Sequence, residues 1–139
     1  QGADLLLQTV QLIEENKAPR EKQDDNLSCY AKMLNNDNCR IDWTKSAQDI
    51  HNLVRGLNSW PVAYTTLNNK KFKIWQTKVT TGTGNPGQII KITKQSIIVA
   101  TGEGAIELLE IQPPNKAKMP ASSYINGHKQ ELENNVSFI

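Results

Sequence analysis

At 139 residues, with 37% hydrophobic residues and a mean hydropathy of −0.54, the chain has material for one cored domain plus an attached segment, but not for two domains of ordinary size. No apolar run approaches the roughly eighteen residues a membrane span needs, which excludes a bilayer-crossing helix and points to a soluble, rather polar protein. The net charge of +2 conceals a segregation: residues 1–40 hold 5 bases and 7 acids, residues 41–100 hold 8 bases and 2 acids, and residues 101–139 hold 3 bases and 5 acids. From Ile50 to Ala100 there is no carboxylate side chain, and a positive field of that kind favours a polyanionic partner over an ordinary lysine-rich surface.

In chain order, "ADLLLQTVQLIEE" (3–15) sets Leu6, Val10 and Ile13 on one helical stripe beside Leu5 and Leu12, which predicts an amphipathic helix. The chain opens at Gln1 with neither an initiator methionine nor a secretory signal, so it reads as an excised fragment whose first helix docks on the remaining chain or on a missing domain. Residues 16–39 are polar, contain Pro19 and lack a sustained period, and are expected to form a linker anchored by Tyr30, Met33 and Leu34. Cys29 and Cys39 lack a CxxC spacing, and with two histidines in the chain they read as reduced structural thiols, not as zinc ligands.

Ser46 followed by Asp49 resembles a capping box, and Ala47, Ile50, Leu53, Val54 and Leu57 continue at helical spacing until Gly56, Asn58 and Pro61 stop it. The period then becomes alternating. Strands are expected near 62–67, 71–79, 88–93, 96–102 and 105–112, with turns at Asn68-Asn69, 82–87, Lys94-Gln95 and 102–104. This pattern predicts a mainly β domain, a five-stranded barrel of the oligonucleotide-binding type with flanking helices. Beyond Pro113-Pro114 one helical turn ending at Gly127 is expected, then a weakly ordered tail apart from Phe138 and Ile139.

Gly82-Thr83-Gly84-Asn85-Pro86-Gly87 formally matches GxGxxG, but "QIIKIT" follows it as a strand where a dinucleotide site needs a helix, so it reads as a turn. His51 and Arg55 lie at i and i+4 on the helix's polar side. Asp42 and Ser46 are close enough in sequence that spacing alone leaves a catalytic triad open; the preferred reading is structural, with His51 fixing the helix to the following loop. His128 reads as a surface residue. The pairs Asp24-Asp25, Glu14-Glu15 and Glu107/Glu110 have no visible apolar pocket to raise a pKa, and none is expected to be catalytic.

Trp43 and Trp60 flank the capped helix and are expected to clamp it to the barrel. In "KKFKIWQTKV", Phe72 and Ile74 alternate with Lys71, Lys73 and Trp75, so the two lysines and the tryptophan share the second face of a strand. Such a set stacks a base and meets phosphates; the alternative is a partly covered tryptophan with solvated neighbours. The polyanion-binding candidates are Arg40, Lys45, Arg55, Lys70, Lys71, Lys73, Trp75, Lys78, Lys91 and Lys94, with Lys32 in the linker as a further one.

The blocks "IDWTKSAQDIHNLVRGLNSWPVAYT", "KKFKIWQ", "PGQII", "IIVATGEGAIELLEIQPPNKAKMPA" and "INGH" together resemble the C-terminal part of the methionyl-tRNA formyltransferase family, over about residues 1–127. The resemblance implies residues 1–18 as the closing helix of an absent catalytic domain, 19–40 as a linker and 41–139 as the barrel. It implies a cytoplasmic enzyme that moves a formyl group from 10-formyltetrahydrofolate to the amino group of initiator methionyl-tRNA. The family's Asn/His/Asp constellation and HxSLLP-type motif have no match here, so this piece is expected to bind tRNA and to be inactive alone, with no cofactor or metal of its own. Ser59 and Val62 stand where many relatives have Pro and Gly, and "CYAKML" lacks a proline that many carry. Formyltransferases acting on a nucleotide sugar, and hydrolase-linked folate enzymes, share a similar block and are the alternative, together with a purely structural domain.

Overall fold

The computed structural model describes residues 1–31, 33–134 and 137–139. It falls into two compact units, Gln1–Lys32 and Met33–Ile139. The first carries α1 (Gly2–Glu14), closed at its end by the amides of Lys17 and Ala18, which both donate to the Leu12 carbonyl. The helix is where the apolar stripe predicts it, and Leu6, Val10 and Ile13 are all exposed. A short 3₁₀ turn, Asp25–Leu27, follows. Tyr30, Met33 and Leu34 are 87%, 88% and 47% exposed, so they anchor nothing; the buried residue of this stretch is Cys39, in a second 3₁₀ turn.

The second unit is mainly β. Helix α2 (Ala47–Leu57) starts where Ser46 Oγ accepts from the Asp49 amide at 3.1 Å and donates to Asp49 Oδ2 at 2.7 Å, a capping box closed side chain to side chain. Six strands follow: β1 (Ala63–Leu67), β2 (Lys70–Thr80), β3 (Ile89–Ile92), β4 (Ile97–Ala100), β5 (Ala105–Gln112) and β6 (Met119–Pro120). All pairings are antiparallel, in the order β1-β2-β5-β4-β3, and β6 takes the edge of β5 at Glu110 and Ile111 beyond the reach of β4. The β1–β2 turn is made by Asn68 and Asn69, both at positive φ, as a tight hairpin with right-handed strand twist requires.

The mainly β class with flanking helices holds; the described residues form six strands where five are expected, and strand pairing alone does not close the sheet. Strand pairing leaves β1 and β3 as free ends, and the C-terminal segment spans the gap between them. Phe138 N donates to Gly87 O, while Ile139 and Thr66 exchange backbone hydrogen bonds of 2.9 and 3.0 Å. Phe138 enters the core, stacked on Trp43 at 5.7 Å and edge-on to Phe72, which meets Tyr124 in turn. Gly87 has φ +85, and a Cβ there would strike the Phe138 carbonyl, so this glycine permits the seam.

The single turn expected before Gly127 is instead α3 (Ala121–Glu133), kinked at His128 (φ −135). Tyr124, Ile125 and Leu132 bury its inner side. His128 is half-buried, not a free surface residue: its ring lies parallel to Tyr124 at 4.2 Å. Burial, with Glu131 nearby, pushes the Tyr124 hydroxyl up to about 12. Among the described residues no helix is long and apolar enough to cross a membrane.

Candidate nucleic-acid interface

Alternation along β2 divides its side chains as the sequence predicts. Phe72 and Ile74 are buried, and Lys71, Lys73 and Trp75 stand on the opposite face. Antiparallel register then brings in neighbours: Lys73 lies between Tyr64 of β1 and Gln112 of β5. The Lys71 ammonium sits 3.7 Å from the Tyr64 ring centroid, and Trp75 Nε1 donates to Gln112 Oε1 at 3.1 Å. The 113–118 loop closes the other side. Gln112 Nε2 donates to the Lys116 carbonyl, and the Lys118 ammonium lies 5.1 Å from the Trp75 ring while pairing with Glu110 at 2.6 Å. Beside these residues lies a cleft of about 180 Å³. The result is two aromatic rings among the ammonium groups of Lys71, Lys73 and Lys118, a surface suited to phosphates and unpaired bases.

Tyr64, Lys116 and Lys118 were not among the sequence-derived candidates. The two lysines belong to the acidic last third by count, and the signal that could have found them is the KxK spacing in "NKAKM".

Farther along the same face, Lys78 lies opposite Glu107, which is opposite Ile98, which is opposite Lys91. Glu107 also accepts from Ser96 Oγ at 2.5 Å. Lys78 and Lys91 are exposed, but a carboxylate stands in their row. Lys70 opens β2 just after the Asn68-Asn69 turn, and Lys94 lies in the β3–β4 turn; both are exposed. Arg40 is bridged to Tyr64 at the edge of β1 and so extends that row, whereas Lys45 and Arg55 belong elsewhere. Arg40 and Lys45 line a cleft of about 370 Å³ with Asp42 and Asp49, and Arg55 lies on the exposed side of α2, bonded to Asn52 Oδ1 at 3.2 Å. Helix α2 packs on the Thr77 side of the sheet, so the ten candidates do not form one patch. Lys32 lies outside the described residues.

The tryptophans also separate. Trp43 is buried, and its indole donates to Thr65 Oγ1 on β1 at 2.9 Å and stacks on Phe138. Trp60 is 78% exposed and clamps nothing, because the 58–61 loop turns it outward while Asn58 Nδ2 ties that loop to the Trp75 carbonyl. His51 Nδ1 meets Thr77 Oγ1 at 2.9 Å, fixing α2 to β2 and not to the following loop. The triad left open by spacing is not assembled: Asp42 is held by the Thr44 hydroxyl and amide, and Ser46 by Asp49. The Thr44 hydroxyl, then its amide, hold the Asp42 carboxyl below the ordinary aspartate range, with Lys45 adding to the effect. Both cysteines are free, and no cluster of three or more metal-ligating side chains occurs among the described residues.

Residues 33–129 match the family model of the formyl transferase C-terminal domain. The chain is 44% identical to methionyl-tRNA formyltransferase of Streptococcus mutans over 95% of its length, and 46% identical to that of Clostridioides difficile over 94%. It spans only 42% and 43% of those relatives. Among solved structures, a substituted variant of HypX from Aquifex aeolicus superposes with a TM-score of 0.65 at 13% identity, covering 95% of this chain and 24% of that one. HypX in complex with tetrahydrofolic acid superposes at 0.62 and 16% identity, over 90% and 22% of the two chains. At these identities the likeness speaks for the fold alone. With a family model covering most of the second unit and relatives matched across nearly the whole chain, this protein belongs to the formyl transferase C-terminal domain family.

Proposed function

We propose that this chain is the tRNA-holding part of a methionyl-tRNA formyltransferase, with 41–139 as the binding domain, 19–40 as a linker and 1–18 as the helix that closes a separate catalytic domain. That catalytic domain transfers the formyl group of 10-formyltetrahydrofolate to the methionyl amino group of initiator tRNA, in the cytoplasm; this chain alone has no turnover. The relatives' shared name supports the reaction, and the tetrahydrofolic acid bound by a HypX structure supports a folate-type donor. The observation that carries the role of this piece is the outer face of β2, where Lys71, Lys73 and Trp75 gather with Tyr64 and Lys118. Phosphate neutralisation by Lys71 and Lys73 supplies affinity, and Lys70, Lys78, Lys91 and Lys94 extend the field along the sheet. Arg40 adds a charge at the edge of β1 beside Tyr64, and Lys45 and Arg55 are peripheral, on the helix side.

Filter binding of initiator tRNA to the chain and to a Lys71→Glu/Lys73→Glu variant tests this. Two lost phosphate contacts should weaken binding at every salt concentration and flatten the salt slope by about 2. Unchanged tRNA affinity, together with a loss of stability in the full-length enzyme, would instead make the domain a structural support.

A further inference from the structure

Trp60 has no structural use in the fold. It is 78% exposed, and none of the ring–ring or cation–ring contacts among the described residues involves it. Its loop is nonetheless fixed. Asn58 Nδ2 donates to the Trp75 carbonyl at 3.0 Å, Val62 N donates to Leu57 O at 2.9 Å, and Ala63 enters the sheet opposite Ile74. The loop that carries the indole is therefore tied to the backbone of Trp75, a residue of the basic face, and leads directly into the β1–β2 ladder.

Its surroundings favour a nucleobase over a protein. Leu57 and Val62 are buried and Pro61 is half-buried, leaving Asn58, Ser59 and Arg55 as exposed neighbours in sequence. None of these sequence neighbours is an exposed aliphatic of the kind a protein interface core gathers round an indole. Arg55 has no carboxylate partner among the described residues, its guanidinium bonding to Asn52. Trp75 is more occupied, with its N–H on Gln112 and Lys118 over its ring. An exposed indole on a loop tied to the Trp75 backbone suits single-stranded recognition, in which aromatic stacking accepts any base and ammonium groups follow the backbone.

We infer that Trp60 is a stacking platform for an unpaired nucleotide of the bound RNA, at the point where a helical stem held by the Lys71–Lys73 face gives way to single strand. The inference rests on the RNA-binding reading above and adds to it the residue that takes an unpaired nucleotide.

Two probes separate the readings: a blunt RNA hairpin, and the same hairpin with an unpaired four-adenosine 3′ extension. Trp60→Ala should weaken binding of the extended hairpin about fivefold or more and leave the blunt one within about twofold, the size expected for one lost stack. Trp60→Phe should keep most of the difference. Equal affinities of wild type and Trp60→Ala for the extended hairpin, or equal losses on both hairpins, would overturn the inference while leaving the lysine face standing. If instead Trp60→Ala spared both RNAs but weakened association with the N-terminal part of the S. mutans relative supplied in trans, the indole would be a domain contact and the inference would be wrong. Binding of both hairpins that ignores Lys71→Glu/Lys73→Glu would defeat the parent reading separately.

Discussion

Val62 reaches the start of β1 with φ +73, a left-handed conformation costly for a β-branched residue, and its side chain is buried there. Glycine would adopt that backbone without this penalty. Val62→Gly therefore sets relief of strain against lost burial and should change stability by less than about 1 kcal/mol, whereas Val54→Gly, buried inside α2, should cost about 3 kcal/mol or more. Urea unfolding of both variants checks this, and a Val62→Gly loss as large as that of Val54→Gly would show that the conformation carries no strain. Individual side chains were unevenly legible in the sequence. Lys71, Lys73 and Trp75 share a face because the strand period demands it, but Trp60 was misplaced because nearness to a helix in sequence does not say which way a loop turns. His51 found its partner 26 residues away on β2, a contact that no local spacing reveals.

Elements with a strong period were readable: α1, α2 and five strands lie within a few residues of their expected places. The cap of α2 was readable as well, and it is a measurable contributor. Ser46→Ala removes the acceptor of the Asp49 amide and should lower stability by about 1 kcal/mol by chemical denaturation; no change would mean the helix start is held by its Ala47–Glu103 backbone bond instead. What escaped the sequence has little side-chain signature. Strand β6 is two residues long and ends in a proline, which supplies no N–H to a ladder. The second half of α3 lies beyond Gly127, which looks like a stop, and Leu132 alone marks its buried side. The 137–139 seam is made largely by backbone bonds, and only the apolar pair Phe138 and Ile139 hinted that the tail is held.

For the whole molecule, folding redistributes the charge that the sequence segregates. The basic middle third reads as free of carboxylates, yet the sheet order inserts β5 from the acidic last third between β2 and β4. Glu107 and Glu110 thereby join the outer face, the first opposite Lys78 and the second paired to Lys118. The basic surface is narrower than composition implied and is centred on Lys71, Lys73 and Trp75, with Arg40 at its β1 edge, while Lys45 and Arg55 lie on the helix side. Fold class was legible because local period and turn chemistry agree along the chain; the shape of the charged face was not, because it depends on which distant strands become neighbours. The most direct test of an electropositive sheet face holding RNA is the affinity of this chain for initiator tRNA across a salt series. About five phosphate contacts predict that log affinity falls against log salt with a slope of roughly −3.5 to −4.5. A flat response would contradict the account.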